Sequence, residues 1–419
     1  MKLKELSLAM MCTGLISTPV LADDMADLKA QLKAMQQQMQ MMQNKLDAQE
    51  SRLNTQGQEQ TSASSGLSVR AVAHEISDSI IIGGAIEVVA NHTDSDGWSN
   101  QDASDLVLDT FELGIEASAG DWVNGSILFL YEDDTDDSLL VDEAYITFAN
   151  ADVTPFYANV GRLYVPFGNF ESNMISDPAT LTIGETRAEL VQLGFEVENG
   201  IYGSAYVFNG DAEEVKNNYA EQENNHIDNY GMNLGYVIEY DDISVDFGAG
   251  YINNIASSGG LAKLVDSNAL CADGGCIKEY VGGLSLHAIA SFGSFSLIGE
   301  YITALEDFEA NELTGDHSDK LKPRAWNIEG AYSFELASKE ATFALGYQKT
   351  KDMHFDTETT DFFEKAWLTS LSVGIIDNTI LSAEWKHSDA YKKVKNTHRA
   401  AGDKYGDEDL LQVKLSYEF

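Results

Sequence analysis

The sequence predicts an all-β protein: an antiparallel transmembrane barrel of about sixteen strands, with a short helical coiled-coil segment at its N-terminus. Three observations predict it. Apolar residues recur at every second position in segment after segment, the pattern of a strand with one face in lipid and one in water. The connections between these segments alternate between short and long. The chain ends on such a segment, Leu411, Val413, Leu415, Tyr417 and the terminal Phe419 alternating with Gln412, Lys414, Ser416 and Glu418.

The elements follow in order. Residues 1–22 read as an export signal: Lys2 and Lys4, an apolar stretch from Leu6 to Val20 too short to span a bilayer, and Val20-Leu21-Ala22 before the expected cleavage. Residues 23–56 carry a seam at alternating three- and four-residue steps: Met25, Leu28, Leu32, Met35, Met39, Met42, Leu46, Gln49 and Leu53. That is a heptad pattern, and it predicts a periplasmic coiled-coil helix of about 45 Å. A lone seam has nothing to pack on, so self-association into a homotrimer is the expectation; a single helix resting on the barrel is the alternative. Residues 57–78, rich in Gly, Gln, Ser and Thr, form a flexible linker, and residues 79–419 form the barrel.

The clearest hairpin is Tyr230, Met232, Leu234, Tyr236, Ile238 and Tyr240, a turn at Asp241-Asp242, then Ile243, Val245, Phe247, Ala249 and Tyr251. Counting such segments places strands near 80–91, 104–117, 122–132, 141–149, 156–165, 188–197, 201–209, 228–240, 243–253, 280–292, 295–304, 324–334, 341–349, 365–376, 379–386 and 409–419. Short turns follow the even-numbered strands, as in barrels with tight periplasmic turns and long external loops. All five prolines avoid strand interiors. Aromatics gather near strand ends, Trp122, Tyr240, Phe292, Phe295, Phe334 and Phe419 at one side, and Tyr131, Tyr251, Tyr301, Trp326, Trp367 and Trp385 at the other, as two interfacial girdles.

With 26 Lys and Arg against 68 Asp and Glu, the chain carries a formal charge of −42, which excludes nucleic acid as a partner. The polar parity assigns Glu87, Glu112, Glu116, Glu143, Glu196, Glu239, Asp246, Glu300, Glu329 and Glu384 to the pore lining. Rings of carboxylates favour cations; the alternative is that they only solvate the wall. The third long connection, opened by Pro166-Phe167-Gly168, is expected to fold inward and narrow the pore. Arg162, Glu171, Asp177, Glu185 and Arg187 would then form the constriction, with a bulge near Arg162. Cys271 and Cys276, separated by Ala-Asp-Gly-Gly, are expected to close a small disulfide loop. No cofactor or metal site is expected. Ser285 and His287 share a face, but no Gly-x-Ser-x-Gly occurs, so no enzyme is expected either.

The segments Val141-Asp142-Glu143-Ala144-Tyr145-Ile146-Thr147-Phe148, Phe156 through Gly168, Tyr206-Val207-Phe208-Asn209-Gly210-Asp211 and Gly250-Tyr251-Ile252-Asn253-Asn254 resemble the LbtU-type siderophore porin family. The Gly161-Arg162-x-x-x-Pro166-Phe167-Gly168 element is also similar to one shared by phosphate-selective porins. The resemblance implies a sixteen-stranded outer-membrane barrel, bounded by lipid and lipopolysaccharide, for passive uptake of an iron–siderophore complex without a plug domain. The alternative is a general cation-preferring porin for small hydrophilic solutes.

Overall fold

The computed structural model describes residues 80–95, 101–133, 138–214, 227–240, 242–266, 276–310, 312–313, 320–353, 362–391 and 407–419. The residues expected to form the export signal, the coiled-coil helix and the linker, and Cys271, lie outside the described residues.

Among the described residues, sixteen strands close into one antiparallel barrel. They are β1 (Ile80–Ser95), β2 (Gln101–Ala119), β3 (Val123–Glu132), β4 (Leu140–Ala149), β5 (Phe156–Tyr164), β6 (Arg187–Glu196), β7 (Ile201–Phe208), β9 (Asn229–Tyr240), β10 (Ile243–Ile252), β12 (Gly283–Phe292), β13 (Phe295–Ala304), β14 (Arg324–Leu336), β15 (Lys339–Lys351), β16 (Lys365–Ile376), β17 (Thr379–Asp389) and β18 (Glu408–Glu418). Two further strands, β8 (Glu213–Glu214) and β11 (Cys276–Ile277), form a small parallel pair between the long loops. Each predicted strand is present. The β14–β15 hairpin runs further than expected because Ala337 and Ser338, both at positive φ, turn the chain in two residues.

Alternation decides which way each side chain faces. Leu106, Met232, Leu234, Leu345 and Trp367 are more than half exposed on the outside, an apolar surface that water would not stabilise and lipid would. Aromatic rings run across neighbouring strands at the short-turn end: Phe292 meets Phe295 at 5.8 Å, and Phe295 meets Tyr332 at 4.8 Å. At the long-loop end Tyr301 meets Trp326 at 5.0 Å and Tyr347 meets Trp367 at 4.6 Å. Inside, a ladder of neutral polar groups crosses β4 to β9. Thr147 donates to Asn159 at 2.8 Å, Asn159 to Gln192 at 2.9 Å, Gln192 to Ser204 at 2.9 Å and Ser204 to Asn233 at 2.6 Å.

The barrel closes where β1 meets β18, in a register that sets Glu87 opposite Ser416. The backbone N–H and C=O of Phe419 both bond to Gly84 at 3.0 Å. A Cβ on Gly84 would stand 2.4 Å from the Glu112 carbonyl and 2.8 Å from the Phe419 ring. We therefore expect Gly84→Val to abolish barrel closure. The check is the mobility shift between unheated and boiled protein in detergent gels; a wild-type shift in the variant would contradict this seam.

The interior departs from expectation in one respect. Near the long-loop end the inward parity is apolar, not polar: Leu190, Phe208, Ile252, Ile302 and Leu368 are buried there. They pack against two inserted loops. One, residues 165–186, carries helix α1 (Ala179–Gly184); the other, described over residues 253–266 and 276–282, carries a 3₁₀ turn (Ile255–Ser257) and helix α2 (Gly259–Asp266). Phe167, Ile183, Leu261 and Val265 from these loops complete the cluster. Gly260 brings α2 against α1, since a Cβ there would lie 2.1 Å from the Thr182 carbonyl.

Candidate functional site: an acid-lined constriction

The third loop (residues 165–186) lies inside the barrel because the opposite wall offers acceptors for its backbone. Phe167 anchors its root in the apolar cluster at 0 % exposure. Gly168, at φ +94, and Gly184 leave room for the Phe170 ring, which a Cβ at either position would strike. From there the loop runs along β13, β14 and β17. Glu300 accepts from the Asn169 N–H at 2.7 Å and from the Thr180 hydroxyl at 2.6 Å. Glu329 accepts from the Ser172 hydroxyl and the Asn173 N–H, both at 2.7 Å. Glu384 accepts from the Ile175 N–H at 2.5 Å and the Ser176 hydroxyl at 2.6 Å. On the return, Gln348 accepts from the Ala179 N–H at 3.2 Å.

This alters the part played by three residues of the sequence-derived lining. Glu300, Glu329 and Glu384 do point inward, but they are 5 %, 1 % and 1 % exposed and hold the loop instead of facing open water. A carboxylate that receives several N–H and O–H donors is a strong anchor, which is why these acids tolerate burial.

The opposite wall, β1 to β4 with β18, remains open to the lumen and is acidic. Glu112 and Glu116 stand on β2 and Glu143 on β4. Glu143 accepts from the Tyr164 N–H at 3.3 Å. Glu87 accepts from Lys414 at 3.0 Å and from the Ser416 hydroxyl at 2.7 Å. Two bulges add acids that strict alternation misses. Thr110 and Leu108 pair with consecutive β1 residues, leaving Asp109 unopposed beside Glu87 and Lys414. Glu143 and Val141 pair with consecutive β3 residues, leaving Asp142 unopposed. Asp142 is buried and takes hydrogen bonds from Arg187 and from the Tyr164 hydroxyl.

Of the five residues expected at the constriction, the structure brings Asp177, Glu185 and Arg187 together near Asp142. Glu185 is mostly shielded from water, and its carboxyl is pushed up to about 8, first by burial and then by the negative charges of Asp177, Asp142 and Glu132, with Arg187 opposing. Glu171 lies toward Asp246 and His287 instead, and burial together with Asp246 raises it. Arg162 is a correction. It shares the outward parity of Phe156 and Val160 and pairs with Glu189 at 3.4 Å. The bulge expected there is absent, because β5 pairs with both neighbours without a register shift; the irregularity sits one strand earlier, at Asp142. Glu196 and Glu239 are exposed at the short-turn end. Among the described residues no group of three or more His, Cys, Asp or Glu side chains is placed to hold a metal ion.

No family model matches the chain. It is similar to a UPF0422 protein of Coxiella burnetii, 30% identical over 245 residues, covering 57% of this chain and 50% of that one. A UPF0422 protein of Legionella pneumophila is 23% identical over 341 residues, covering 77% of this chain and 61% of that one. The chain thus spans about half to three-fifths of the length of these relatives. Among solved structures, the outer membrane channel DcaP of Acinetobacter baumannii superposes with a TM-score of 0.53 at 14% identity, over 81% of this chain and 97% of that one. An anion-selective porin from Comamonas acidovorans gives 0.53 at 13% identity, over 81% and 99%. OmpF of Salmonella typhi, in complex with daunomycin, gives 0.52 at 12% identity, over 81% and 97%. The sixteen-stranded barrel expected from the sequence is the fold these proteins share with this chain.

Proposed function

We propose that this protein is an outer-membrane porin giving passive passage to small hydrophilic solutes, with a preference for cations. The observation that carries the reading is the constriction. Glu185 and Asp177 of the third loop approach Asp142, which also acts on Glu112 and Glu143 of the same wall, while the nearby bases, Lys414 and Arg187, are each bonded to an acid, Glu87 and Asp142. Acids on both sides of a narrow aqueous path attract cations and repel anions. The apolar outer surface and its aromatic rings support lipid and lipopolysaccharide as the barrel's surroundings.

Uptake of an iron–siderophore complex, the solute the sequence resemblance implies, fits this lining for complexes of neutral or positive net charge. A heptad helix at residues 23–56 would join barrels as trimers on the periplasmic side. Planar bilayers test the channel reading: under a KCl gradient the reversal potential is expected to carry the sign of potassium preference. Zero or chloride preference would overturn it. In the same membranes a neutral or cationic ferric siderophore is expected to lower the potassium current; no competition would remove the siderophore as solute.

A further inference from the structure

We propose that the root of the third loop forms, with β7, β10 and β12, a subsite for a hydrogen-bond-donating organic cation, the guanidinium or primary ammonium group of a small solute. The proposal rests on the cation-preferring channel above and names a ligand class for a second place along its lumen.

The acceptors are Asp246 and Glu171, and Tyr202, His287 and Ser285 complete the surroundings. The Tyr202 hydroxyl donates to Asp246 at 2.9 Å. His287 Nε2 lies 3.3 Å from that hydroxyl and 3.8 Å from the Asp246 carboxylate. Glu171 reaches this group from the loop, where Asp246, Glu300 and His287 are the charges that act on it. Two glycines on the wall make space for the rings. A Cβ on Gly235 would lie 2.2 Å from the Tyr202 ring, and one on Gly248 would lie 2.5 Å from the His287 ring.

A second, independent feature points to a ligand. Ser285 is 1 % exposed, and its hydroxyl has no hydrogen-bond partner. It lines a small cavity with His287, Tyr202, Asn233 and Gly168. Buried hydroxyls are almost always bonded, so an orphan one in a cavity shared with Tyr202 and His287, the two groups that adjoin Asp246, marks a place for a further polar group. Two carboxylates suit the planar fork of a guanidinium or the three N–H groups of an ammonium, and the Tyr202 ring adds a face that attracts cations. A quaternary ammonium, with no N–H, gains only the charge.

His287 sits at the centre of these groups. It faces Asp246 on β10, Tyr202 on β7, Glu171 of the third loop and Glu300, its register partner on β13.

Single channels in planar bilayers, carrying potassium current, test this with L-argininamide as probe and tetramethylammonium as the non-donating control. Argininamide is expected to block at concentrations where tetramethylammonium does not. Its apparent Kd is expected to rise by about tenfold in Asp246→Asn and in Glu171→Gln, one charge-assisted contact being lost in each. Reversal potentials measured alongside separate the two levels of inference. A cation-preferring channel whose argininamide block is the same in Asp246→Asn as in the wild type overturns the subsite alone, and so does equal block by tetramethylammonium. A wild-type channel without cation preference overturns the channel reading, and the subsite with it.

Discussion

Replacing Glu329 and Glu384 together by alanine is expected to free the third loop and raise single-channel conductance, with open-channel noise rising as well. These two residues receive the Ser172, Asn173, Ile175 and Ser176 donors that hold the loop's far end against β14 and β17. A hydrogen bond to a charged acceptor contributes about 1.5–3 kcal/mol. Water takes over some of these bonds when the loop lifts, yet a net loss of only about 3 kcal/mol shifts the docked population by about a hundredfold. The loop's root would stay in place, because Phe167, Ile183 and the Glu300 contacts are untouched. Expected therefore is a swinging tip, not an unfolded barrel. Glu384→Gln is the graded comparison: one amide oxygen remains to accept, so conductance is expected to lie between wild type and the double variant. Heat-dependent gel mobility verifies that each barrel has assembled, and unchanged conductance in the assembled double variant would contradict the anchoring described here.

The barrel was legible in the sequence because its physics is local. The segments Tyr230 to Tyr240 and Ile243 to Tyr251 state their faces by alternation alone, and their pairing sets Ile243 opposite Tyr240. The pairing of β1 with β18 followed from closure, once an even number of strands was found. The inward fold of the third long loop was legible as a position, but not as a set of contacts. Which wall the loop would lie on depends on Glu300, Glu329 and Glu384, more than a hundred residues away, and in sequence they look like any other lumen acid. Asp109 and Asp142 were missed for a different reason. A bulge adds one residue to one strand, and alternation read along a single strand shifts parity there without any mark from composition. Arg162 was misplaced for the opposite reason: alternation along β5 sets it outward with Phe156 and Val160, and the bulge expected to turn it inward belongs to β4. The apolar interior near the long-loop end had a signal that could have found it: Phe167, Ile183, Leu261 and Val265 are too apolar for loops bathed in solvent.

Neutralising the constriction is expected to have the largest effect on selectivity. A unit charge about 7 Å from a permeating ion contributes about 0.6 kcal/mol in bulk-like water and about 2.4 kcal/mol at an effective dielectric of 20. It acts with opposite sign on cation and anion, so Glu112→Gln combined with Glu143→Gln is expected to lower the cation-to-anion permeability ratio by about tenfold or more. Reversal potentials under a KCl gradient measure this directly, and raised ionic strength is expected to shrink the difference. Glu185 adds a dependence on pH. In the folded chain it keeps its proton up to about pH 8, held there by burial and by Asp177 and Asp142, whereas in an unfolded chain it would release it near 4.5. Between those values the folded state binds the extra proton, so this residue makes folding less favourable as pH rises through that interval. The same ionisation adds a negative charge beside Asp177 and Asp142, so cation preference is expected to climb between about pH 7 and 9. Glu185→Gln stays neutral throughout and is expected to abolish that rise while leaving the preference set by Glu112 and Glu143. A rise that persisted in Glu185→Gln would assign the titration to another group and remove Glu185 from the permeation path.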